Sequence, residues 1–135
     1  DSATAPLAGP EAARLDELLS LSAPAPQALA TLHGIAETLP SIAPAVARLA
    51  DRLAALTALG IDTATLPFKA GHGRSTLEYY DGFVFTFHAD HPGWPPVASG
   101  GRYDALTAVL GQGRSIPAVG GVIRPGLVAE LRGAP

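Results

Sequence analysis

The sequence predicts an α+β fold, with a small helical segment ahead of a largely antiparallel sheet flanked by helices. Three observations carry this reading. Residues 10–60 show helical periodicity, the apolar pattern changes to period two after residue 61, and glycines and prolines punctuate several short strands thereafter. Residues 11–21 place Ala12, Leu15, Leu18 and Leu19 on one helical face, with Pro10 at the favoured start and Glu11 in the first turn. Pro24 and Pro26 interrupt the chain, and residues 27–39 repeat the stripe through Leu29, Leu32, Ile35 and Leu39. Ser41 is placed to cap a third helix carrying Val46, Leu49, Leu53 and Leu56 on one side and stopping near Gly60.

Residues 63–69 read as a strand, which Pro67 confines to an edge or a bulge. Phe83, Phe85 and Phe87 alternate with Val84 and Thr86, so one face of the next strand is strongly apolar. A loop over residues 91–96, centred on Trp94, leads to a strand at 96–100, and the pair forms an antiparallel hairpin. Residues 104–110 are helical with Leu106, Val109 and Leu110 facing inward. Residues 111–115 form a flexible turn, residues 116–123 a strand of small and branched residues, and residues 126–132 a last helix. Two parts follow: a helical segment over 1–60 and a sheet-bearing domain over 61–135.

Composition narrows the function classes. The chain has 135 residues, 47% of them apolar, enough for a compact domain with its own core. A net charge of -3 with no basic stripe argues against nucleic acid as a partner. No apolar run reaches the length of about 18 residues that a membrane span needs, and no signal-peptide pattern opens the chain. Zero Cys excludes disulfides and thiolate metal sites and agrees with a reducing cytoplasm. Zero Met marks the chain as a piece of a longer protein. No cofactor is implied.

Two segments carry candidate chemistry: LEYYDGFVFTF at residues 77–87 and SGGRYDAL at residues 99–106. Tyr79 and Tyr80 are adjacent and point to opposite faces of an extended backbone. Asp81-Gly82 suits a turn or bulge, and Gly100-Gly101 lets a backbone approach a ligand closely. Arg102, Tyr103 and Asp104 then supply a cation, a phenol and a carboxylate, the groups needed to hold an amino acid. The same residue types also serve as ordinary packing, with the Arg-Asp pair as a salt bridge beside a helix start.

The wording of these segments is more specific. Residues 77–85 resemble the first histidine-contacting motif of histidyl-tRNA synthetases, Leu-Asp-Tyr-Tyr-x-x-x-Val-Phe-Glu, and residues 99–106 resemble the second, Ala-Gly-Gly-Arg-Tyr-Asp-x-Leu. IPAVGGVI, at 116–123, resembles the entry to the third motif of class II synthetases, so the likeness spans roughly residues 61–131. It implies the second half of a class II aminoacyl-tRNA synthetase-like domain, with an insertion-like helical segment before it. Departures from the pattern fall on the ATP-activating positions. Ser75 stands where the catalytic arginine is expected, with Arg74 one residue away on the opposite face of a strand. Thr86 replaces a glutamate, and Ile123-Arg124-Pro125-Gly126-Leu127 replaces the expected Gly-x-Glu-Arg.

Retained histidine contacts with lost ATP contacts resemble the paralogous family of ATP phosphoribosyltransferase regulatory subunits. That resemblance implies a non-catalytic protein of histidine biosynthesis, partnered with the short-form catalytic subunit and self-associating as a class II-like dimer. It implies L-histidine as the effector, with Tyr80 and Tyr103 lining the imidazole pocket. Gly100 and Gly101 would form the floor, Arg102 a support, and Glu78 and Tyr79 neighbouring contacts, with the Gly111-Gln112-Gly113 loop as a candidate mobile element. Other classes have less support. An active histidine–tRNA ligase requires Arg74 to reach the catalytic place through a bulge. His88 and His91 lack a third ligand at metal-binding spacing, and GHGRS at 71–75 lacks the Gly-Lys-Ser/Thr ending of a phosphate loop.

Overall fold

The structure, a computed structural model, describes residues 9–72, 80–114 and 116–133. The chain divides into two compact units, Asp1–Gly71 and His72–Pro135. The mixture of helices with antiparallel strands is the α+β arrangement the periodicity predicts.

The first unit contains α1 (Gly9–Ser20), β1 (Ser22–Pro24), α2 (Ala25–Thr38), α3 (Ala43–Ala58) and β2 (Pro67–Lys69). Its core is the meeting of α2 and α3: Ala25, Ala28, Leu32 and Ile35 from one, Val46, Leu49 and Leu53 from the other. These positions recur at helical spacing, so each helix turns one continuous stripe inward. Leu18, Leu29, Leu56 and Phe68 pack around that cluster.

Several local expectations change here, each for a physical reason. Pro26 does not delay α2, because its missing N–H falls in the first turn, where no intrahelical partner exists. Ser41 does not cap α3. It lies inside a 3-10 turn, Pro40–Ile42, that leads into the helix with no side-chain cap. Within α1, Leu15 and Leu18 are half-buried, while Ala12 and Leu19 are exposed. Residues 63–65 are a 3-10 turn rather than strand, because Asp62 accepts a hydrogen bond from the Ala64 N–H at 3.0 Å. What remains extended, β2, pairs antiparallel with β1, Ala23 opposite Phe68. Residues 61–70 therefore fold with the helices before them.

The second unit holds a three-stranded antiparallel sheet in the order β3 (Val84–Phe87), β4 (Ala98–Arg102), β5 (Val119–Ile123). The expected pairing of the phenylalanine strand with the glycine strand is present, but the ladder reaches further into the glycine segment than residue 100. Arg102 N–H donates to Phe83 O at 2.9 Å, which carries the pairing through Gly101. Two short helices, α4 (Asp104–Leu110) and α5 (Pro125–Leu131), follow β4 and β5. Val109 and Leu110 of α4 are exposed, not inward-facing, since seven residues make barely two turns and, among the described residues, this unit buries no large apolar side chain. Among the described residues of this unit only Gly100 and Gly101 are buried.

The two units therefore differ in what holds them. The first rests on apolar burial, the second on a hydrogen-bonded ladder. Leu53→Ala is expected to cost about 2–4 kcal/mol of stability in chemical denaturation, and Leu59→Ala, at 78% exposure, less than about 0.5 kcal/mol. Equal effects would refute this placement of the core.

Candidate functional site

Register in the second unit sets four glycines against one another. Gly100 lies opposite Gly121 and Gly101 opposite Gly120, while on the other side of β4 Phe85 faces Gly100 and Val84 faces Gly101. Neighbours across a sheet share a face, so the row Phe85–Gly100–Gly121 belongs to one side and Val84–Gly101–Gly120 to the other. Each side of this side-chain-free patch receives aromatic rings. A Cβ at Gly100 or Gly121 would meet the Phe85 ring, at 2.6 and 3.2 Å. A Cβ at Gly101 would sit 2.8 Å from Tyr80 Cδ1, and one at Gly120 would sit 2.6 Å from the Tyr103 hydroxyl.

Tyr80 and Tyr103 thus lie together on one face, with ring centroids 6.3 Å apart and planes tilted by 50°. Both are half-buried, so part of each phenol stays accessible. The opposite face carries the phenylalanine ladder, Phe83, Phe85 and Phe87, with successive centroids 6.2 and 5.7 Å apart.

Of the sequence-predicted site residues, Tyr80, Tyr103 and Gly101 come together. Gly100 borders them through the backbone, and its absent side chain makes room for Phe85 on the other face. Arg102 follows Gly100 in the strand alternation and lies over Gly82, with its Nε donating to Asp104 Oδ2 at 2.8 Å. Glu78 and Tyr79 lie outside the described residues, as do Arg74 and Ser75.

The two acidic residues of the motifs act as fasteners. Asp81 accepts hydrogen bonds from the N–H groups of Asp104 and Ala105, at 3.0 and 2.6 Å, so it caps α4 from 23 residues upstream. Asp104 Oδ1 accepts the Ala118 N–H at 2.8 Å, tying the start of α4 to the approach of β5. Tyr103 sits between these ties, and its own N–H donates to Ala118 O at 3.0 Å. The position of the tyrosine is therefore fixed by main-chain bonds on both sides. The sequence suggests a turn at Asp81 but does not reveal its partner, since no local spacing signals a cap so remote. The Arg102–Asp104 salt bridge is the ordinary pairing that their nearness allows.

Two loops carry local contacts of their own. The 111–113 loop is a bonded turn: the N–H groups of Gly111, Gly113 and Arg114 donate to Thr107 O, Ala108 O and Gly111 O. Gln112 and Gly113 take positive φ there, which ends α4 as a tight reversal. Trp94 stacks on His91 within its loop, centroids 4.5 Å apart. Among the described residues no group of His, Asp and Glu could hold a metal ion, and no helix is long and apolar enough to cross a membrane.

At the third motif-like segment, Arg124 Nη1 donates to Pro96 O at 2.5 Å, and its N–H to Val97 O at 2.9 Å. This arginine braces the β3–β4 loop. Thr86, at the glutamate position, bonds His72 Nε2 at 2.7 Å.

Comparison with known proteins agrees with the motif pattern. A family model described as histidyl-tRNA synthetase matches residues 2–125. The chain is 39% identical over 107 residues to a protein of Rhizobium johnstonii named ATP phosphoribosyltransferase regulatory subunit, covering 78% of this chain and 28% of that protein. A protein of the same name from Agrobacterium fabrum is 36% identical over 121 residues, 89% of this chain and 32% of the relative. One from Sinorhizobium medicae is 40% identical over 104 residues, 76% and 27%. The chain thus spans between about a quarter and a third of the length of these relatives. No solved structure matches it.

The Asp104 carboxyl is held below its ordinary value of 3.8, mainly by the Ala118 N–H and further by Arg102, with partial desolvation opposing. Its folded pKa is depressed, so its stabilising contribution is full above the unfolded value and disappears as pH falls through the folded one. Asp104→Asn should flatten the fall of the melting temperature below about pH 4. Parallel profiles for the two proteins would contradict the assignment.

Proposed function

We propose that this chain, which belongs to the histidyl-tRNA synthetase family, is part of a non-catalytic regulatory subunit of ATP phosphoribosyltransferase and helps form its L-histidine site. The observation that carries this reading is the Tyr80–Tyr103 pair seated on the Gly101–Gly120 row. Two phenols presented side by side offer an apolar surface for an imidazole and hydroxyls that can donate to or accept from its ring nitrogens. The names carried by the similar rhizobial proteins support the same assignment.

The arginine positions support regulation over aminoacylation. Adenylation places charge on a triphosphate that arginines must neutralise, and such electrostatic stabilisation dominates this kind of catalysis. After Ile123 the chain continues Arg-Pro-Gly-Leu, with Arg124 engaged by Pro96 O. A histidine pocket without that charge array can bind an amino acid without activating it. The sheet-bearing unit from His72 onward would then be the later part of a class II synthetase-type domain, and the helical unit before it an insertion-like segment.

The partner in this proposal is the short-form catalytic subunit, in a cytoplasmic hetero-oligomer whose regulatory protomers pair as a class II-like dimer. The subunit is needed for the catalytic partner's activity and for its inhibition by histidine. Histidine can inhibit only by binding one arrangement of the assembly more tightly than another. The family description also admits an active synthetase, and one pair of assays separates the two.

The full-length protein should give no histidine-dependent ATP–pyrophosphate exchange and should make a short-form catalytic subunit active and histidine-sensitive. Tyr103→Phe should raise the histidine concentration for half-inhibition roughly three- to tenfold, the effect of losing one hydrogen bond. Robust exchange, or inhibition unmoved by the substitution, would overturn the proposal.

A further inference from the structure

The four glycines at the β4–β5 crossing are not equivalent. A Cβ at Gly100 would collide with the Gly120 carbonyl oxygen and approach Gly121 Cα to 2.8 Å, so a side chain there would push the backbone apart. At Gly101 the nearest atom is again backbone, Phe83 O at 2.6 Å. At Gly121 it is Ser99 O, at 3.0 Å. Gly120 differs: the three atoms nearest its would-be Cβ all belong to Tyr103, the hydroxyl at 2.6 Å, Cε1 at 3.3 Å and Cζ at 3.4 Å. Gly120 also lies outside the positive-φ glycines, so its backbone conformation suits any residue. The closest obstacle to a side chain at this position is the tip of one tyrosine, not the backbone.

We infer that Gly120 is a positioning residue for Tyr103: its missing Cβ sets how closely the phenol lies on the sheet and where the hydroxyl stands. The base of Tyr103 is held by its bond to Ala118 O and by the Asp104–Ala118 tie. With the base fixed, a methyl group beneath the tip can be accommodated only by tilting the ring about its side-chain torsions. That tilt moves the hydroxyl away from Gly120 and changes the 50° angle to Tyr80. The surface available to a ring-shaped ligand would change without loss of any residue that touches it. This consequence for binding rests on the histidine-site reading; the steric coupling of Gly120 to Tyr103 does not.

A double-mutant cycle on the full-length protein tests both parts. Gly120→Ala should weaken L-histidine binding, measured by calorimetry, roughly tenfold, within the coupling range for residues in contact. Removing the hydroxyl that the methyl meets should remove the penalty, so Gly120→Ala/Tyr103→Phe should bind within about twofold of Tyr103→Phe alone. The melting temperatures should show the same coupling, with Gly120→Ala destabilising only when Tyr103 keeps its hydroxyl. Additive effects on melting, or Gly120→Ala binding like the unsubstituted protein, would overturn the inference. If the unsubstituted protein fails to bind histidine while the melting temperatures remain coupled, the functional reading fails and the positioning role stands.

Discussion

The close crossing of β4 and β5 is the constraint on which the second unit depends. Where Gly100 meets Gly121 and Gly101 meets Gly120, the sheet has no side chains, and aromatic rings seat directly on its main chain from both sides. Glycine inside a strand ordinarily weakens it, through extra entropy lost on folding and the absence of a side chain to pack. Here the rings compensate. Phe85 covers one side and the tyrosines the other, so Gly100 and Gly101 are buried in a unit with no other buried residue among those described.

Around that crossing the polar residues act in series. Asp81 holds the start of α4, Asp104 holds the approach of β5, and Tyr103 lies between them. Thr107 extends the chain of contacts, donating to Asp104 O and accepting from the Ile116 N–H. The bonds of Asp81 and Asp104 join segments 14 to 24 residues apart and fix the tyrosine without a hydrophobic core. The first unit uses the opposite strategy, burying aliphatic stripes of α2 and α3 against each other. In the second unit Asp104, whose carboxyl is held below its ordinary value, is one of these ties.

What the sequence revealed follows the same division. Helical stripes such as Leu32–Ile35 and Val46–Leu49–Leu53 are periodic, and they emerged as the core. The Phe83–Val84–Phe85–Thr86–Phe87 alternation likewise located a strand and its glycine-rich partner. Ends and caps were less legible. Asp62 turned an extended-looking segment into a 3-10 turn, and Ser41 lost its expected cap to a turn led by Pro40. Such outcomes depend on single hydrogen bonds that compete at short range. At the site, motif wording brought out Tyr80, Tyr103 and Gly101. It could not reveal Gly120 and Gly121 as the facing pair, because register between β4 and β5 is a tertiary property. The Arg102–Asp104 salt bridge, by contrast, was legible, because the two residues stand two apart beside a helix start.

Tyr103, tied by its main chain to Ala118, lies with Tyr80 on the glycine rows, and a preorganised surface lowers the entropy lost on binding a small ligand. If that surface is a regulatory histidine site, its affinity must depend on the state of the assembly. Isothermal titration of L-histidine into the full-length protein, alone and with the short-form catalytic subunit, is the most direct measurement. The account predicts saturable binding that tightens in the presence of the catalytic subunit. Identical affinity with and without it, or no binding in either case, would contradict the claim that this site regulates the partner.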